Sequence, residues 1–156
     1  MTRAGSRLSI LFEFFAAGQR VGALVSAAMA DAPLRPDEYA VYSVLFDEGP
    51  KTPTDLARRV GMPPTTMSHF VRTLLTRGHA VRETVAADRR SYLLALTDEG
   101  LRVHAAASRA FAEADARFGA AFGSDPDGAR GTLRAIAEAA RIAESALAAD
   151  SMQATA

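Results

Sequence analysis

A pair of short helical segments, separated by a very tight turn, constrains the fold of this chain more than any other feature. The first segment begins at Thr52-Pro53, where threonine can cap a helix and proline fits the first helical position, and it ends at Gly61. With about nine residues, it is too short to be stable without its neighbours. The second segment covers residues 63–77 and is followed by Gly78. Together the two segments predict a helix–turn–helix.

The second of these helices has one apolar side and one polar side. Met67, Val71 and Leu74 recur at intervals of three and four residues and form the apolar side. A core does not require the polar side, which is therefore either the solvated surface of the helix or its contact surface for a partner. The polar side chains are Thr65, Thr66, Ser68, His69 and Arg72.

A β-hairpin is predicted directly after the helix–turn–helix. Residues 79–85 and 91–96 have strand character, and apolar side chains alternate on one face of the second strand. The charged segment 86–90 lies between them as a turn. A hairpin in this position is a wing. The predicted fold class is therefore mainly α with a small β wing, with a winged helix–turn–helix lobe and an additional helical region.

The helices predicted on either side of this lobe carry apolar stripes. Residues 6–30 form one such helix, Pro36 starts the next, and Asp98 starts a long helix that a turn at residues 123–128 separates from the last one. The last helix has a regular alternation of three and four residues, which suits pairing with another helix. The residues in this alternation are Leu133, Ile136, Ala140, Ala143 and Leu147.

Charge is distributed unevenly along the chain, although the formal net charge is zero. Residues 51–97 carry eight Lys or Arg against three acids, whereas residues 1–50 and 98–156 both have more acids than bases. A basic segment between acidic flanks is expected when one part of a chain faces phosphate. A solvated surface can produce the same asymmetry by chance, so the charge pattern does not decide the function alone.

Several classes of site find no support in the sequence. The chain has no cysteine, which excludes disulfides and thiolate metal sites. His69, His79 and His104 are scattered and have no partner at ligand spacing, so neither a metal nor a cofactor is expected. The sequence also has no Ser/His/Asp set and no phosphate-binding loop at a meaningful spacing, so we do not expect an enzyme.

The apolar N-terminal segment loosely imitates a signal peptide, because Arg3 and Arg7 precede the apolar stretch 8–17. Glu13 lies inside that stretch and Gln19-Arg20 interrupts its continuation. We therefore expect no window with the ~18 apolar residues that a membrane span needs. The segment is instead predicted to be an amphipathic helix of a cytoplasmic protein that has no membrane partner.

The wing segment carries the most specific motif in the chain. Residues 88–97, DRRSYLLALT, match the pattern D-x-R-x-x-x-L-x-L-T at every specified position. A second match runs from Leu56-Ala57 through residues 66–68 to Leu74. In these residues the chain resembles the MarR family of bacterial transcriptional regulators, and the resemblance extends over nearly the whole chain.

The sequence departs from this family at the start of the recognition helix. Pro63 stands where a small hydroxyl cap is usual, Pro64 follows it, and His69 stands where an arginine is common. A histidine there can make contact with DNA weaker or dependent on pH.

The resemblance implies an obligate homodimer, held by its first and last helices, that binds a pseudo-palindromic operator in double-stranded DNA. The recognition helices enter adjacent major grooves about 34 Å apart. The wing reaches the flanking minor groove, where Arg90 is inserted and Asp88 orients it. On this basis residues 1–33 are the N-terminal dimerisation helix, 34–97 the DNA-binding lobe and 98–156 the C-terminal dimerisation helices. The predicted DNA contacts are Pro64, Thr65, Thr66, Ser68, His69, Arg72, Arg77, Asp88, Arg89 and Arg90.

Many members of this family bind small lipophilic or phenolic effectors between the dimerisation helices and the DNA-binding lobe. Phe12, Phe15, Tyr39, Tyr42 and Phe46 are candidates for such a pocket, and the alternative is that they are core residues. The implied function is a transcriptional regulator, more often a repressor, that such a ligand releases from DNA. The alternative function is a winged-helix ligand-binding or protein-interaction module that does not bind DNA.

Overall fold

The computed structural model of the chain describes residues 9–84, 92–123 and 125–153. Within these ranges it contains six α-helices and one two-stranded antiparallel sheet, which confirms the predicted fold class. In chain order the elements are α1 (Ile10–Ala28), α2 (Pro36–Glu48), α3 (Pro53–Val60), α4 (Pro64–Thr76), β1 (Ala80–Thr84), β2 (Tyr92–Leu96), α5 (Asp98–Phe122) and α6 (Pro126–Gln153).

Helices α3 and α4 form the predicted helix–turn–helix, and local interactions specify the ends of α3. At its start the Thr52 hydroxyl accepts the N–H of Asp55 at 3.1 Å and donates to the Asp55 carboxylate at 2.8 Å. The helix ends at Gly61, whose φ of 74° lies in the left-handed region that glycine adopts readily. The N–H of Met62 then bonds to the carbonyl of Ala57 at 2.9 Å. These bonds keep the turn before α4 short.

Strands β1 and β2 form the base of the predicted wing, with Ala80 opposite Leu96 and Thr84 opposite Tyr92. On its other edge β2 pairs with the segment before α3. There the N–H of Leu94 donates to the carbonyl of Lys51 at 2.8 Å, and the N–H of Lys51 donates to the carbonyl of Leu94 at 3.2 Å. Strand β2 therefore has hydrogen-bonded neighbours on both edges.

The predicted turn of the wing lies outside the described residues. Asp88, Arg89 and Arg90, which the motif assigns to the minor groove, belong to this segment. Their contact with DNA stays a prediction from the sequence.

The hydrophobic core lies among α2, α3, α4 and the two strands, and α5 closes it with its first half. Burying one large apolar side chain completely contributes about 1.5–3 kcal/mol relative to leaving it exposed. The core therefore accounts for most of the favourable folding energy of this lobe. Its largest fully buried side chains are Tyr42, Leu34, Leu56, Met67, Leu74, Leu94 and Val41.

The chain divides into two compact units, residues 1–115 and 116–156, and α5 belongs to both. In the first unit, none of the 19 residues that the structure describes in α1 is buried. Its apolar stripe is present as predicted, but Leu11 and Phe15 are exposed, Phe15 by 65%. The three-part division predicted from the sequence stays a prediction.

Helix α1 corrects one expectation about the N-terminal segment. We expected no stretch suited to a membrane span, yet α1 is long and apolar enough to cross a membrane by length and composition alone. The prediction was wrong because the two charged residues, Glu13 and Arg20, lower the mean hydropathy of this 19-residue helix too little. This property is weak evidence, since helices with other roles share it.

In the second unit, α6 is longer than the sequence indicated. The turn predicted at residues 123–128 is shorter, because α6 begins at Pro126. The Asp125 carboxylate accepts the N–H of Asp127 at 3.1 Å and so caps the helix, and proline is favourable at a first helical position. Leu133, in the predicted apolar alternation of α6, is 61% exposed.

Candidate nucleic-acid interface

Helix α4 presents a polar face to solvent and buries its opposite face. Met67, Phe70, Val71 and Leu74 are buried against the core, as the spacing of the apolar residues predicts. The predicted contact residues of this helix are all exposed and share its outer side. They are Pro64, Thr65, Thr66, Ser68, His69 and Arg72.

The start of α4 lacks a side-chain cap, as its prolines imply. Pro63 is the N-cap residue and makes no side-chain hydrogen bond to the helix. A helix normally leaves its first four N–H groups without intrahelical partners, and proline has no N–H. With Pro63 and Pro64 in the first two of these positions, Thr65 and Thr66 supply the remaining two donors. Backbone N–H groups at a helix start suit contact with phosphate.

Four polar side chains of α4 take part in three hydrogen bonds within the helix. The hydroxyl of Ser68 donates to the carbonyl of Pro64 at 2.9 Å, and the hydroxyl of Thr73 donates to the carbonyl of His69 at 3.0 Å. On the outer face, Nη2 of Arg72 lies 3.2 Å from Nδ1 of His69. The outer face of α4 is therefore partly organised before any partner binds.

The arginines of α3 are paired with acids. Arg58 donates to the Asp55 carboxylate at 3.0 Å, and Arg59 donates to the Glu48 carboxylate at 2.6 Å. The hydrogen bond from Arg59 lowers the pKa of the Glu48 carboxyl. Both arginines remain more than half exposed, so their guanidinium groups are accessible from solvent although each is paired with a carboxylate.

Arg77, predicted to contact DNA, reaches back to α2. Its Nη1 lies 2.8 Å from Oε1 of Glu38, which is only 5% exposed. The other oxygen of Glu38 accepts the N–H of Arg35 at 3.1 Å, at the start of α2. The Arg77 side chain is still 43% exposed, and its contact with DNA stays a prediction. Its pairing with Glu38 ties the end of α4 to the start of α2.

A second contact fixes the turn between α4 and β1. The hydroxyl of Tyr42 lies 2.7 Å from Nδ1 of His79, and Tyr42 is completely buried. Burial raises the pKa of the Tyr42 hydroxyl, although a hydrogen bond with Arg77 acts in the opposite direction. The hydroxyl therefore keeps its proton and remains a neutral hydrogen-bonding group at physiological pH.

The start of α5 holds the same turn from another side. The Thr97 hydroxyl donates to the carbonyl of Gly78 at 2.7 Å, and the Thr97 N–H donates to the carbonyl of His79 at 3.1 Å. Gly100 packs so tightly here that a Cβ at its position would overlap the His79 carbonyl oxygen. The direction of α4 and of the wing is thus set by α2 and α5 together.

The base of the wing carries an arginine that the sequence analysis did not single out. The guanidinium of Arg82 lies over the Tyr92 ring, 4.5 Å from its centroid, as in a cation–π contact. Arg82 is exposed and Tyr92 lies diagonally across the two strands. The signal was available in the alternation of the strands, because their antiparallel register brings these two positions to one face.

The five residues predicted to line an effector pocket do not form one cluster. Tyr39 and Phe46 both pack on His104, with ring centroids 5.2 Å and 4.6 Å away. Tyr42 contacts His79 instead, and Phe12 and Phe15 are exposed on α1. The pocket therefore stays a prediction, and the aromatic cluster around His104 is the part of it that the structure assembles.

The cluster around His104 also contains hydroxyl groups. Nε2 of His104 lies 3.1 Å from the hydroxyl of Ser43, and the hydroxyl of Tyr39 lies 3.3 Å from that of Ser108. Burial lowers the pKa of His104, and the charge of Asp47 opposes this more weakly. His104 is therefore neutral at physiological pH. The sequence analysis missed this role because the residues come from separate helices.

Among the described residues, no group of three or more His, Cys, Asp or Glu side chains is placed to hold a metal ion. The fold and this surface together define a winged helix–turn–helix protein. Its recognition helix has an exposed polar face and is braced from behind by buried hydrogen bonds.

Comparison with known proteins agrees with this class. The family model described as the IclR helix-turn-helix domain matches residues 45–84, which cover α3, α4 and β1. A search of curated proteins finds no match. A structure of a MarR-family transcriptional regulator from Rhodococcus sp. RHA1 is 30% identical, with a TM-score of 0.68 over 87% of this chain and 96% of that one. This chain therefore belongs to the MarR family of transcriptional regulators.

Two further structures show related proteins with bound partners. CouR from Rhodococcus jostii RHA1, bound to p-coumaroyl-CoA, is 30% identical with a TM-score of 0.68, over 87% of this chain and 96% of that one. CouR bound to a 23-mer DNA duplex is 24% identical with a TM-score of 0.71, over 90% of this chain and 98% of that one. At this lower identity the second match supports the fold alone.

Proposed function

We propose that this protein represses transcription by binding a pseudo-palindromic operator in double-stranded DNA as a homodimer. Helix α4 enters the major groove and the wing enters the flanking minor groove. The observation that carries the proposal is the exposed polar face of α4, held on a buried apolar face beside a two-stranded wing. CouR, which is similar to this chain, binds a 23-mer DNA duplex, and this supports double-stranded DNA as the partner in the proposal.

The homodimer follows from the apolar side chains that one chain leaves uncovered. Leu11 and Phe15 of α1, and Leu133 and Ile142 of α6, are each more than half exposed. Large apolar residues on helices of this length are covered in stable proteins, and a second copy of the chain provides matching stripes. The same pairing accounts for the apolar character of α1 without a membrane, so we place the protein in the cytoplasm, where its DNA lies.

The wing assignment is tested by replacing Arg90 with alanine. Arg90→Ala is expected to weaken binding to a duplex selected from genomic fragments by about 1–3 kcal/mol, since an inserted arginine contributes on this scale. Fluorescence anisotropy at several salt concentrations measures the loss. The parent's affinity should fall steeply with salt, because several Lys and Arg side chains displace counterions.

A matched control for this experiment is Arg102→Ala. Arg102 forms an exposed ion pair with Glu99 on α5, at 2.5 Å, and the substitution removes the same charge outside the proposed interface. It should leave affinity nearly unchanged. If Arg90→Ala binds DNA as tightly as the parent and remains dimeric, then the wing does not enter the minor groove. A parent protein with a flat salt profile would contradict DNA as the partner and favour the ligand-binding or protein-interaction alternative.

We also propose that an aromatic effector binds beside His104 and releases the protein from DNA. Phe46 is 55% exposed and its ring packs on His104, so that an aromatic ligand can reach this side of the cluster. The CouR complex supplies the probe, p-coumaroyl-CoA. A ligand that binds only the folded state raises the melting temperature. The rise should be smaller in Phe46→Ala, and an equal rise would place the ligand elsewhere.

A further inference from the structure

The outer face of α4 holds a histidine and an arginine that contact each other. Nη2 of Arg72 lies 3.2 Å from Nδ1 of His69, one helical turn away, and both side chains are exposed. The His69 ring also packs edge-on against Phe70, with centroids 6.1 Å apart. Because Phe70 is buried in the core, this contact restricts the orientation of the imidazole.

The chemistry of arginine determines the roles in this hydrogen bond. A guanidinium can only donate and does not lose its proton in proteins, so Nδ1 of His69 must be the acceptor. A neutral imidazole with an unprotonated Nδ1 carries its hydrogen on Nε2. The pair therefore presents only donors to its surroundings, namely Nε2–H of His69 and the remaining N–H groups of Arg72.

The bases differ in how they meet a surface of donors in the major groove. Guanine presents two acceptors there, N7 and O6, and no donor, whereas the opposing cytosine presents the N4 donor. Adenine and thymine each present a single acceptor, accompanied by a donor or a methyl group respectively. A donor-only pair thus favours guanine and disfavours cytosine at the same position.

Two neighbouring hydroxyls, those of Ser68 and Thr73, do not duplicate that pattern. The hydrogen of the Ser68 hydroxyl is committed to the carbonyl of Pro64, and that of Thr73 to the carbonyl of His69. Both hydroxyls therefore offer lone pairs outward and act as acceptors. These two side chains therefore cannot be the groups that select a base with an acceptor.

We propose that Arg72 fixes His69 as an Nε2–H donor, and that the two side chains together select a guanine in each operator half-site. This inference rests on the proposed binding of α4 in the major groove, and it adds the base that this part of the helix recognises. His69 and Arg72 are then specificity-determining residues that act as one unit.

The tautomer can be measured in the free protein without DNA. Long-range proton–nitrogen correlation spectra at mildly alkaline pH should show His69 with an unprotonated Nδ1 and a protonated Nε2. Arg72→Ala should increase the population of the other tautomer. A parent protein in which His69 carries its hydrogen mainly on Nδ1 would overturn the proposal.

Selection from a duplex library with a randomised central segment tests the base preference. The parent should enrich a guanine at one symmetric position in each half-site. His69→Ala and Arg72→Ala should each reduce this preference on the order of tenfold, and the double variant should do no more, because the pair acts as a unit. Arg102→Ala removes one arginine from α5 and should keep the preference.

Replacement of the selected guanine by 7-deazaguanine removes only the N7 acceptor. The affinity of the parent should fall on the order of fivefold on this replacement. The affinity of Arg72→Ala, which is already reduced, should fall little further. The same replacement at an unselected guanine is the matched control. A folded dimer that enriches some duplex, but with a guanine preference that survives both alanine variants, overturns this inference alone. A folded dimer that enriches no duplex overturns the proposed function as well.

Discussion

The two halves of α5 are parts of one continuous helix, yet they lie in different surroundings. In the first half, Gly100, His104 and Ala107 are buried, and Ala107 belongs to the core of the lobe. In the second half, Phe118 and Phe122 stack on each other at 5.6 Å and remain more than 40% exposed. The comparison shows that a single chain completes its DNA-binding lobe but does not cover the far end of this helix.

The sequence of α5 does not reveal where this change occurs. Its apolar stripe runs with regular spacing through residues 103–122, as a helix with one buried face requires. Only the part before residue 116 finds partners within the first unit. A continuous stripe therefore indicates that a face is buried in the active assembly, and it does not identify the chain that covers it.

The largest expected effect is on the free energy of unfolding, when substitutions at two glycines of α5 are compared. Gly100→Ala should lower the free energy of unfolding by about 3 kcal/mol, because the new Cβ would overlap the backbone oxygen of His79, which cannot move aside. Gly119 has nothing within 4 Å of an added Cβ. Gly119→Ala should therefore stabilise the helix by about 0.5–1 kcal/mol, as alanine normally does. Urea unfolding measures both changes.

Changes of opposite sign in the free energy of unfolding of these two variants would support the difference between the halves of α5. If Gly100→Ala were as stable as the parent, the close packing of α5 on the turn before β1 would be absent in solution. If Gly119→Ala were strongly destabilised, the second half of the helix would be packed closely, against a second chain for example.

The second prediction tests whether the exposed apolar residues of α6 lie in the dimer interface. Leu133→Glu on α6 should raise the dimer dissociation constant at least tenfold, about 1.4 kcal/mol, because it places a charge in the proposed apolar interface. The control is Ala135→Glu, which adds the same charge to an exposed position about half a turn away on α6. Sedimentation velocity over a range of protein concentrations distinguishes the two. An unchanged dimer in Leu133→Glu would remove this stripe from the interface.

The smallest expected effect concerns how the stability of the lobe depends on pH. Burial holds the pKa of His104 below its ordinary value, so the unfolded chain takes up a proton first as the pH falls. The stability that neutral His104 contributes is complete above about pH 6.5, the ordinary histidine pKa, and is lost progressively below it. His104→Asn should flatten this part of the stability profile. Urea unfolding over this pH range is the measurement, and equal slopes in parent and variant would contradict it.

The sequence predicted most of the fold because the ends of its elements depend on local interactions. Thr52, Gly61 and Gly78 mark helix ends through capping and positive φ, which involve only nearby residues. The outer face of α4 was predictable for the same reason, since a period of 3.6 residues separates its buried and exposed sides. The turn before α6 was misjudged where Pro126 begins a helix instead of a loop.

The interactions behind the recognition helix could not be predicted in this way. Glu38 and Arg77 are far apart in the sequence, and no local pattern indicates that this carboxylate is buried or which arginine it holds. The same applies to His104, whose partners come from α2 as well as its own helix. Such contacts depend on how the helices pack, and packing is decided by the whole core.

The pairing of Lys51 with Leu94 has a mechanical consequence for the wing. Strand β2 of the hairpin is hydrogen-bonded on one edge to β1 and on the other to Lys51, two residues before the start of α3. A force on β2 is therefore passed to the segment that leads into α3. If the wing contacts DNA as proposed, we expect its displacement to be passed through these backbone hydrogen bonds to the start of the helix–turn–helix.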